Sequence, residues 1–372
     1  MSPRENEKSH RRKKEHYFDY SLLFIIIFLV CFGLVMLYST SSYNGQVKFG
    51  DSTFYLKKQL MATLLGIVAM LIIARIDYHF WERFTLVAFL LAHILSAAVL
   101  FVGSDFNGSK RWLKIGPISF QPSEFAKLAV ILFLALIISK VSKKIKQFRT
   151  MMMVMALCGP IVALVGVNNL STAIIILGIA VILIFVASPK YMQFIIIGLG
   201  GSVFMGIFIY LEKYRAERLK IWLHPENFDK GYQTLQALYA IGSGGILGKG
   251  LGESMQKLGF VPEAQNDMIF SIICEELGLF GAVSLILLFI LMIWRFMIIA
   301  NNAPDLYGAL IVVGIMGHIA IQVILNIAVV TNSIPNTGIT LPFISYGGTS
   351  ALFLLSEMGL ALSVSRQVKL EK

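Results

Sequence analysis

Residues 20–41, YSLLFIIIFLVCFGLVMLYSTS, hold no charged side chain from end to end. A helix of about 20 apolar residues crosses a hydrocarbon core of about 30 Å. In that medium only a helix or a closed barrel satisfies every backbone N–H and C=O. Runs of the same kind recur near 56–75, 82–103, 121–139, 150–167, 169–188, 191–211, 268–295, 306–330 and 343–365. The chain therefore reads as an all-α polytopic membrane protein of about ten transmembrane helices. Asn168 and Asn169 alone separate the fifth and sixth runs, which predicts a single bent or tightly turned unit there.

Composition agrees. Of 372 residues, 57% are hydrophobic and 14% charged, against about 25% charged in soluble domains. The net charge of +11 would suit a nucleic-acid partner if it were spread over a folded surface. It is instead concentrated in links and tails, which excludes that class and points to anionic lipid headgroups. Cys31, Cys158 and Cys274 lie in or beside apolar runs without metal-type spacing, so they read as small core hydrophobes with no disulfide.

Basic residues crowd the first 19 residues, with Arg11, Arg12, Lys13 and Lys14 in a row, and the link from Lys140 to Arg149. With an even number of spans both ends share one side, and the positive-inside rule makes that side cytoplasmic. Residues 1–19 then form a basic, disordered cytoplasmic tail, 20–366 a transmembrane domain and 367–372 a second cytoplasmic tail. Between the seventh and eighth spans lies a long extracytoplasmic loop, 212–267. A shorter link on the same side, 104–120, reads SDFNGSKRWLKIGPISF.

Chemistry-bearing residues gather on these outer segments. Lys110 and Arg111 form a cationic patch suited to a phosphate or pyrophosphate. Trp112 beside them is either an interfacial belt residue or a cover for a sugar or lipid group. At the head of the fourth span, Glu124 and Lys127 are three apart, so they share a helical face and pair either for packing or for function. Arg215 and Arg218 share another face, exposed or ligand-directed. The Gly-rich stretch 242–252 fails as a P-loop, because Ser243 and Gly250 occupy the wrong positions. It reads as a flexible or re-entrant loop in which glycines permit close backbone approach.

In FVPEAQNDMIF, Pro262 is placed to start a helix, which would set Glu263 and Asp267 on one face at the mouth of the eighth span. There the acids either favour the helix N-terminus or, partly desolvated, approach the pKa of a general base. Glu275 and Glu276 lie deeper and are expected to pair inside the bundle. Pro335, Gly338, Pro342, Gly347 and Gly348 forbid a regular helix through SIPNTGITLPFISYGGTS, so this segment must line a cavity or be covered by protein. Its hydroxyls, Ser345 included, either cap helix ends or contact a sugar. His93 and His318, alone in their spans, are expected to be internally hydrogen-bonded, and Glu357 to be a buried structural acid.

Six blocks carry a resemblance to a known family: NGSKRW, ISFQPSEFAKL, GYQTLQALYAIGSGGILGKGLGES, VPEAQNDMIF, CEELGLFG and NTGITLPFISYGGTS. Their order and spacing resemble the SEDS family (shape, elongation, division and sporulation) from about Tyr20 to Arg366. PEAQND resembles its division and sporulation branches, since elongation-type members carry a His-Thr pair before the Asp. The resemblance implies a peptidoglycan glycosyltransferase of the bacterial inner membrane, polymerising lipid II outside the cytoplasm with release of undecaprenyl pyrophosphate. It also implies a class B penicillin-binding protein and other division proteins as partners.

By the same resemblance Asp267 is the essential acid, and Glu263 tunes it or helps to hold a divalent cation such as Mg or Mn. No metal requirement follows from the sequence. Lys110, Arg111, Trp112, Glu124, Lys127, Arg218, Gln233 and Ser345 become substrate-binding candidates. Two departures stand out: Met268 replaces a Phe, and VNNLSTA has Asn169 for an Asp and Ser171 for a Gly. A lipid II flippase is the alternative reading, with Glu124 and Lys127 on a polar path. A non-catalytic scaffold is a third.

Overall fold

The computed structural model describes residues 17–106, 109–115, 118–188, 190–199 and 219–368. Its helices are α1 (Tyr20–Phe49), α2 (Phe54–Arg75), α3 (Thr85–Val102), α4 (Pro122–Lys140), α5 (Phe148–Asn168) and α6 (Leu170–Ala187). After them come α7 (Tyr232–Gly244), α8 (Ile269–Asn301), α9 (Leu306–Val330) and α10 (Gly348–Gln367). Among the described residues nine helical segments, all of these but α7, are long and apolar enough to cross a membrane; the third begins in a 3-10 turn at Tyr78. The expected span 191–211 is helical over 191–199, and its remainder lies outside the described residues.

Local chemistry sets the helix ends. Asp19 caps α1 by accepting the Leu22 N–H at 2.8 Å, and Gly50 closes that helix in the left-handed region. As a result α1 runs two turns beyond the expected end at residue 41. α4 opens on Pro122, whose missing N–H costs nothing at a first-turn position. Asn169 alone joins α5 to α6, as the sequence suggests, and its Oδ1 accepts the Thr172 N–H at 3.2 Å. The link after α3 is not irregular. It forms a three-stranded antiparallel sheet of β1 (Ser104–Phe106), β2 (Ser109–Ile115) and β3 (Ile118–Phe120).

Both ends of the bundle are tied at one level. Arg295 of α8 grips the Asp19 carboxylate through Nε at 3.1–3.2 Å and through Nη2 at 2.6 Å. The Asp19 N–H donates to Ser365 Oγ of α10 at 3.4 Å. The described chain thus enters and leaves the bundle at the same end. Asp267, just ahead of α8, stands at the opposite end. Centrally, α4 and α9 are the most enclosed helices, while Gly66 and Gly359 let α2 and α10 approach closely. The cysteines are free, but Cys31 faces away from the core: it is exposed on α1, contrary to its reading as a buried hydrophobe.

α8 is broken. Gly278 sits at φ 66°, ψ −166°, a region closed to other residues. The helix break frees backbone groups that the Gly-rich loop satisfies. Lys249 N–H and Gly250 N–H donate to the carbonyls of Glu275 and Glu276, each at 2.9 Å. Leu279 N–H and Phe280 N–H donate to Gly245 and Ile246 at 2.9 and 3.0 Å. A Cβ on Gly248 would fall 2.2 Å from the Glu276 carbonyl oxygen, so the close approach depends on glycine.

Glu275 and Glu276 fasten the same loop from within. Glu275 receives Lys249 Nζ at 2.6 Å and the Ser254 hydroxyl, and Glu276 receives Lys257 Nζ at 2.8 Å and Ser39 Oγ at 2.6 Å. Both acids are fully buried and paired, as expected.

A Cβ at Gly278 would meet Gly248 N at 2.3 Å in a backbone region that itself costs about 1–3 kcal/mol for other residues. Gly278→Ala should therefore lower the thermal midpoint by several degrees and open residues 245–258 to protease. Gly159→Ala, which meets open space on α5, should do neither. Equal behaviour of the two variants would remove the zipped loop as a structural support.

Candidate active site

The segment from Val261 to Met268 is a series of turns, and α8 begins only at Ile269. The expected helix start at Pro262 is therefore corrected. Glu263 adopts φ 52°, in the left-handed region, which prevents a helix from running through it. Its carboxylate accepts the Asn266 side-chain amide, closing a tight turn. Glu263 and Asp267 still come together, through the turn and not through a shared helical face.

Asp267 is half-buried, and among the described residues its Oδ1 has no hydrogen-bond partner. Its Oδ2 lies 3.8 Å from where a Cβ on Gly338 would stand. Burial pushes the carboxyl up to about 7; its own backbone N–H opposes the rise, the Glu263 carboxylate adds to it, and Arg111 and the Met268 N–H oppose it. Near neutral pH such a group both holds and releases a proton.

Arg111 reaches this acid from β2. Its Nε donates to the Asn168 carbonyl at 3.0 Å, where α5 turns into α6. Strand pleating places Arg111 and the buried Leu113 on one face, and Trp112 and the exposed Lys114 on the other. Trp112 is half-buried and does not share the face that Arg111 presents to the bundle. The backbone of Lys110 pairs with Asp105, but its side chain lies outside the described residues, as do Arg215 and Arg218 entirely.

The irregular stretch between α9 and α10 forms the opposite wall. Gln233 of α7 spans the gap, donating to the Pro262 carbonyl at 3.4 Å and accepting from Asn336 Nδ2 at 3.2 Å. Tyr346 N–H donates to the Gln265 carbonyl at 2.9 Å. Ser345 Oγ accepts the Leu341 N–H at 2.8 Å, so its hydroxyl closes a turn while lining the cavity below. Ser171 donates to the Thr337 carbonyl at 3.1 Å, a tie that glycine could not make.

That cavity lies within the bundle and is lined by Gln59, Glu124, His318, Gln322, Ser345 and Tyr346, among others. Glu124 and Lys127 pair at 2.9 Å, both buried. Lys127 also donates to Gln322 Oε1 at 3.2 Å, His318 Nε2 meets the same oxygen at 2.8 Å, and His318 Nδ1 meets Glu357 at 2.7 Å. His318 and His93 are both internally bonded, as expected.

The sequence reading treated His318 as solitary and missed its ladder. His318, Gln322 and Asn326 stand four residues apart on α9 and form one polar stripe. Asn326 Nδ2 donates to the carbonyls of Asp267 at 2.8 Å and Ile339 at 2.7 Å. The i, i+4, i+8 spacing in an apolar span was the available signal. Among the described residues no group of three or more His, Cys, Asp or Glu side chains could hold a metal. Glu263 and Asp267 fall short of such a set.

The family profile described as cell cycle protein, spanning FtsW, RodA and SpoVE, matches residues 20–370. This chain belongs to the FtsW/RodA/SpoVE family. It is 41% identical over 363 residues to stage V sporulation protein E of Bacillus subtilis (strain 168), covering 94% of this chain and 97% of that protein. Over 366 residues it is 36% identical to the probable peptidoglycan glycosyltransferase FtsW of Geobacter sp. (strain M18), covering 96% and 99%. In solved structures, a chain of a peptidoglycan synthase complex that coordinates polymerization and crosslinking superposes with a TM-score of 0.80 at 28% identity, covering 94% of this chain and 98% of that one. The rod shape determining protein RodA of Thermus thermophilus gives 0.69 at 27% identity, covering 94% and 97%. Resemblance to the division and sporulation branches of the FtsW/RodA/SpoVE family agrees with these relatives.

In this family member the raised Asp267 carboxyl carries a stability cost. The folded state holds its proton more tightly than the unfolded chain, whose carboxyl titrates near 3.8. Stability contributed by the proton is present below that value and is lost as pH rises toward about 7. Asp267→Asn should therefore raise the free energy of unfolding at about pH 8 by on the order of a few kcal/mol, with a smaller gain at about pH 5. No pH dependence in the gain would mean that Asp267 is not a buried, strained acid.

Proposed function

We propose that this chain is a peptidoglycan glycosyltransferase that polymerises lipid II into β-1,4 glycan strands, in septal wall synthesis during division. One observation carries the reading: a half-buried carboxyl shifted to about 7, under the charge of Arg111, stands at the end of the bundle opposite Asp19 and Ser365. Relatives over nearly the full length bear the name peptidoglycan glycosyltransferase.

Asp267 acts as general base. It takes the proton from the 4-hydroxyl of the acceptor N-acetylglucosamine as that oxygen attacks the anomeric carbon of the donor N-acetylmuramic acid. The bond from that carbon to the pyrophosphate oxygen breaks, the configuration inverts, and undecaprenyl pyrophosphate leaves. Arg111, with Lys110 and Arg218, answers the charge that develops on the leaving group. Glu263 raises the basicity of Asp267 by repulsion. The Glu124–Lys127 pair and Ser345 line the polar interior beneath.

The bundle sits in the bacterial cytoplasmic (inner) membrane with both termini cytoplasmic and Asp267 outside. Supporting this, the basic tail precedes Asp19, and Asp19 shares its level with the end of α10. A class B penicillin-binding protein and other division proteins are its partners, in keeping with the synthase complex whose chain it resembles.

The test is polymerisation of labelled lipid II by the purified chain with its cognate penicillin-binding partner. Wild type should give glycan ladders, and a folded, partner-binding Asp267→Asn variant should lose about 10²–10⁴-fold in rate, as expected for a missing general base. Equal ladders from both would remove Asp267 from the chemistry. No ladders from the wild type, with transfer of lipid II across liposomes, would favour the flippase reading instead.

A further inference from the structure

Asp267 has no helix of its own to fix it. It lies in a turn ahead of α8, and the residue that starts that helix, Met268, makes no side-chain cap bond. The wall it faces, around Gly338 and Ile339, is equally irregular. Two non-helical segments must therefore be held in register by something rigid. One tie between neighbouring segments, Tyr346 N–H to the Gln265 carbonyl, runs from irregular backbone to irregular backbone.

Gln233 of α7 adds a second, from the Pro262 carbonyl to Asn336, and a third comes from a transmembrane helix. Asn326 is fully buried on α9, and its one amide nitrogen donates to both Asp267 O and Ile339 O. A side-chain amide has two N–H donors, and here each has a separate carbonyl. Among the described residues Asn326 Oδ1 has no partner, so the side chain's bonds there are those of a donor only. An acid of the same shape would present oxygen to oxygen, and an aliphatic residue would leave two carbonyls bare.

We propose that Asn326 is the positioning residue for Asp267: its amide straps the Asp267 peptide to the Ile339 peptide and so aims the carboxyl at the reacting hydroxyl. The strap sets the gap between Asp267 Oδ2 and Gly338, the residue before Ile339, where the distance to a Cβ site is 3.8 Å. Charged groups near the acid are Glu263 from its own turn and Arg111 from β2. The Glu124–Lys127 pair and the His318–Glu357 pair lie deeper, joined through Gln322, one turn below Asn326. The inference rests on Asp267 being the base, so its test includes Asp267→Asn.

The experiment measures kcat and KM for polymerisation against pH, using the full chain in complex with its penicillin-binding partner. With Asp267 as base, activity rises with pH through about 7. Asn326→Ala should lower kcat by about 10–100-fold with KM within about two-fold, since an unaimed base loses orientation and not substrate binding. Its acid limb should move to lower pH, because a released carboxyl turns toward water. Hydrogen exchange should quicken in residues 262–268.

Asn326→Asp keeps the shape and guards against a mere packing defect. Protonated, it can still donate one bond; ionised, it cannot. Its deficit relative to wild type should therefore shrink as pH falls. Wild-type kcat and limb in Asn326→Ala would overturn the strap. So would a loss confined to KM and thermal stability with the limb unmoved, or a deficit in Asn326→Asp that ignores pH. Full activity in Asp267→Asn would instead overturn the base assignment, and the strap's catalytic meaning with it.

Discussion

Every backbone N–H and C=O that leaves a helix inside a membrane bundle must find another partner, or the fold loses several kcal/mol per group. Among the described residues this chain leaves the helix at Gly278 inside α8 and between α9 and α10, and the second break faces Asp267. The repairs explain much of the architecture. The Gly-rich loop zips onto the broken face of α8, while Gln322 and Asn326 receive the carbonyls of Thr340 and Ile339. Amino acids that look unrelated in the sequence serve one requirement: glycines where backbones touch, amides where carbonyls are stranded.

Buried charge follows the same rule. Each acid deep in the bundle has a base or hydroxyl against it: Glu124 with Lys127, Glu276 with Lys257 and Ser39, Glu357 with His318. Removing one partner of such a pair leaves a naked charge, which is far more costly than the pair is stabilising. Asp267 departs from this pattern. Among the described residues no hydrogen bond joins its carboxylate to a base or hydroxyl, and the Glu263 carboxylate repels it. A group so placed destabilises the fold, a cost that the proton-transfer role proposed for Asp267 would account for.

Apolar length made the spans legible, because hydrocarbon thickness allows few alternatives. Blocks around Arg111, Glu124 and Asp267 were legible as well, because charge is rare in this composition. What escaped was nonlocal or set by one torsion angle. Pro262 is a sound helix start, yet the left-handed Glu263 cancels it. Nothing in the order of residues says that Gly248 meets Gly278, thirty positions away. The stripe of His318, Gln322 and Asn326 was visible at helical spacing, but its meaning depends on which carbonyls face it.

The two departures in VNNLSTA fit the same frame. Asn169 stands where the family resemblance would place an Asp, yet the task visible here is to cap α6, and Asn caps about as well as Asp. An uncharged cap also avoids placing a second carboxylate beside Asn168, whose carbonyl already holds Arg111. Ser171 adds a hydroxyl bond to the Thr337 carbonyl that glycine lacks, tying α6 to the wall facing Asp267. Neither change adds a carboxylate beside the Asn168 carbonyl that Arg111 binds. For the leaving-group role proposed for Arg111, fewer competing carboxylates nearby is the better arrangement.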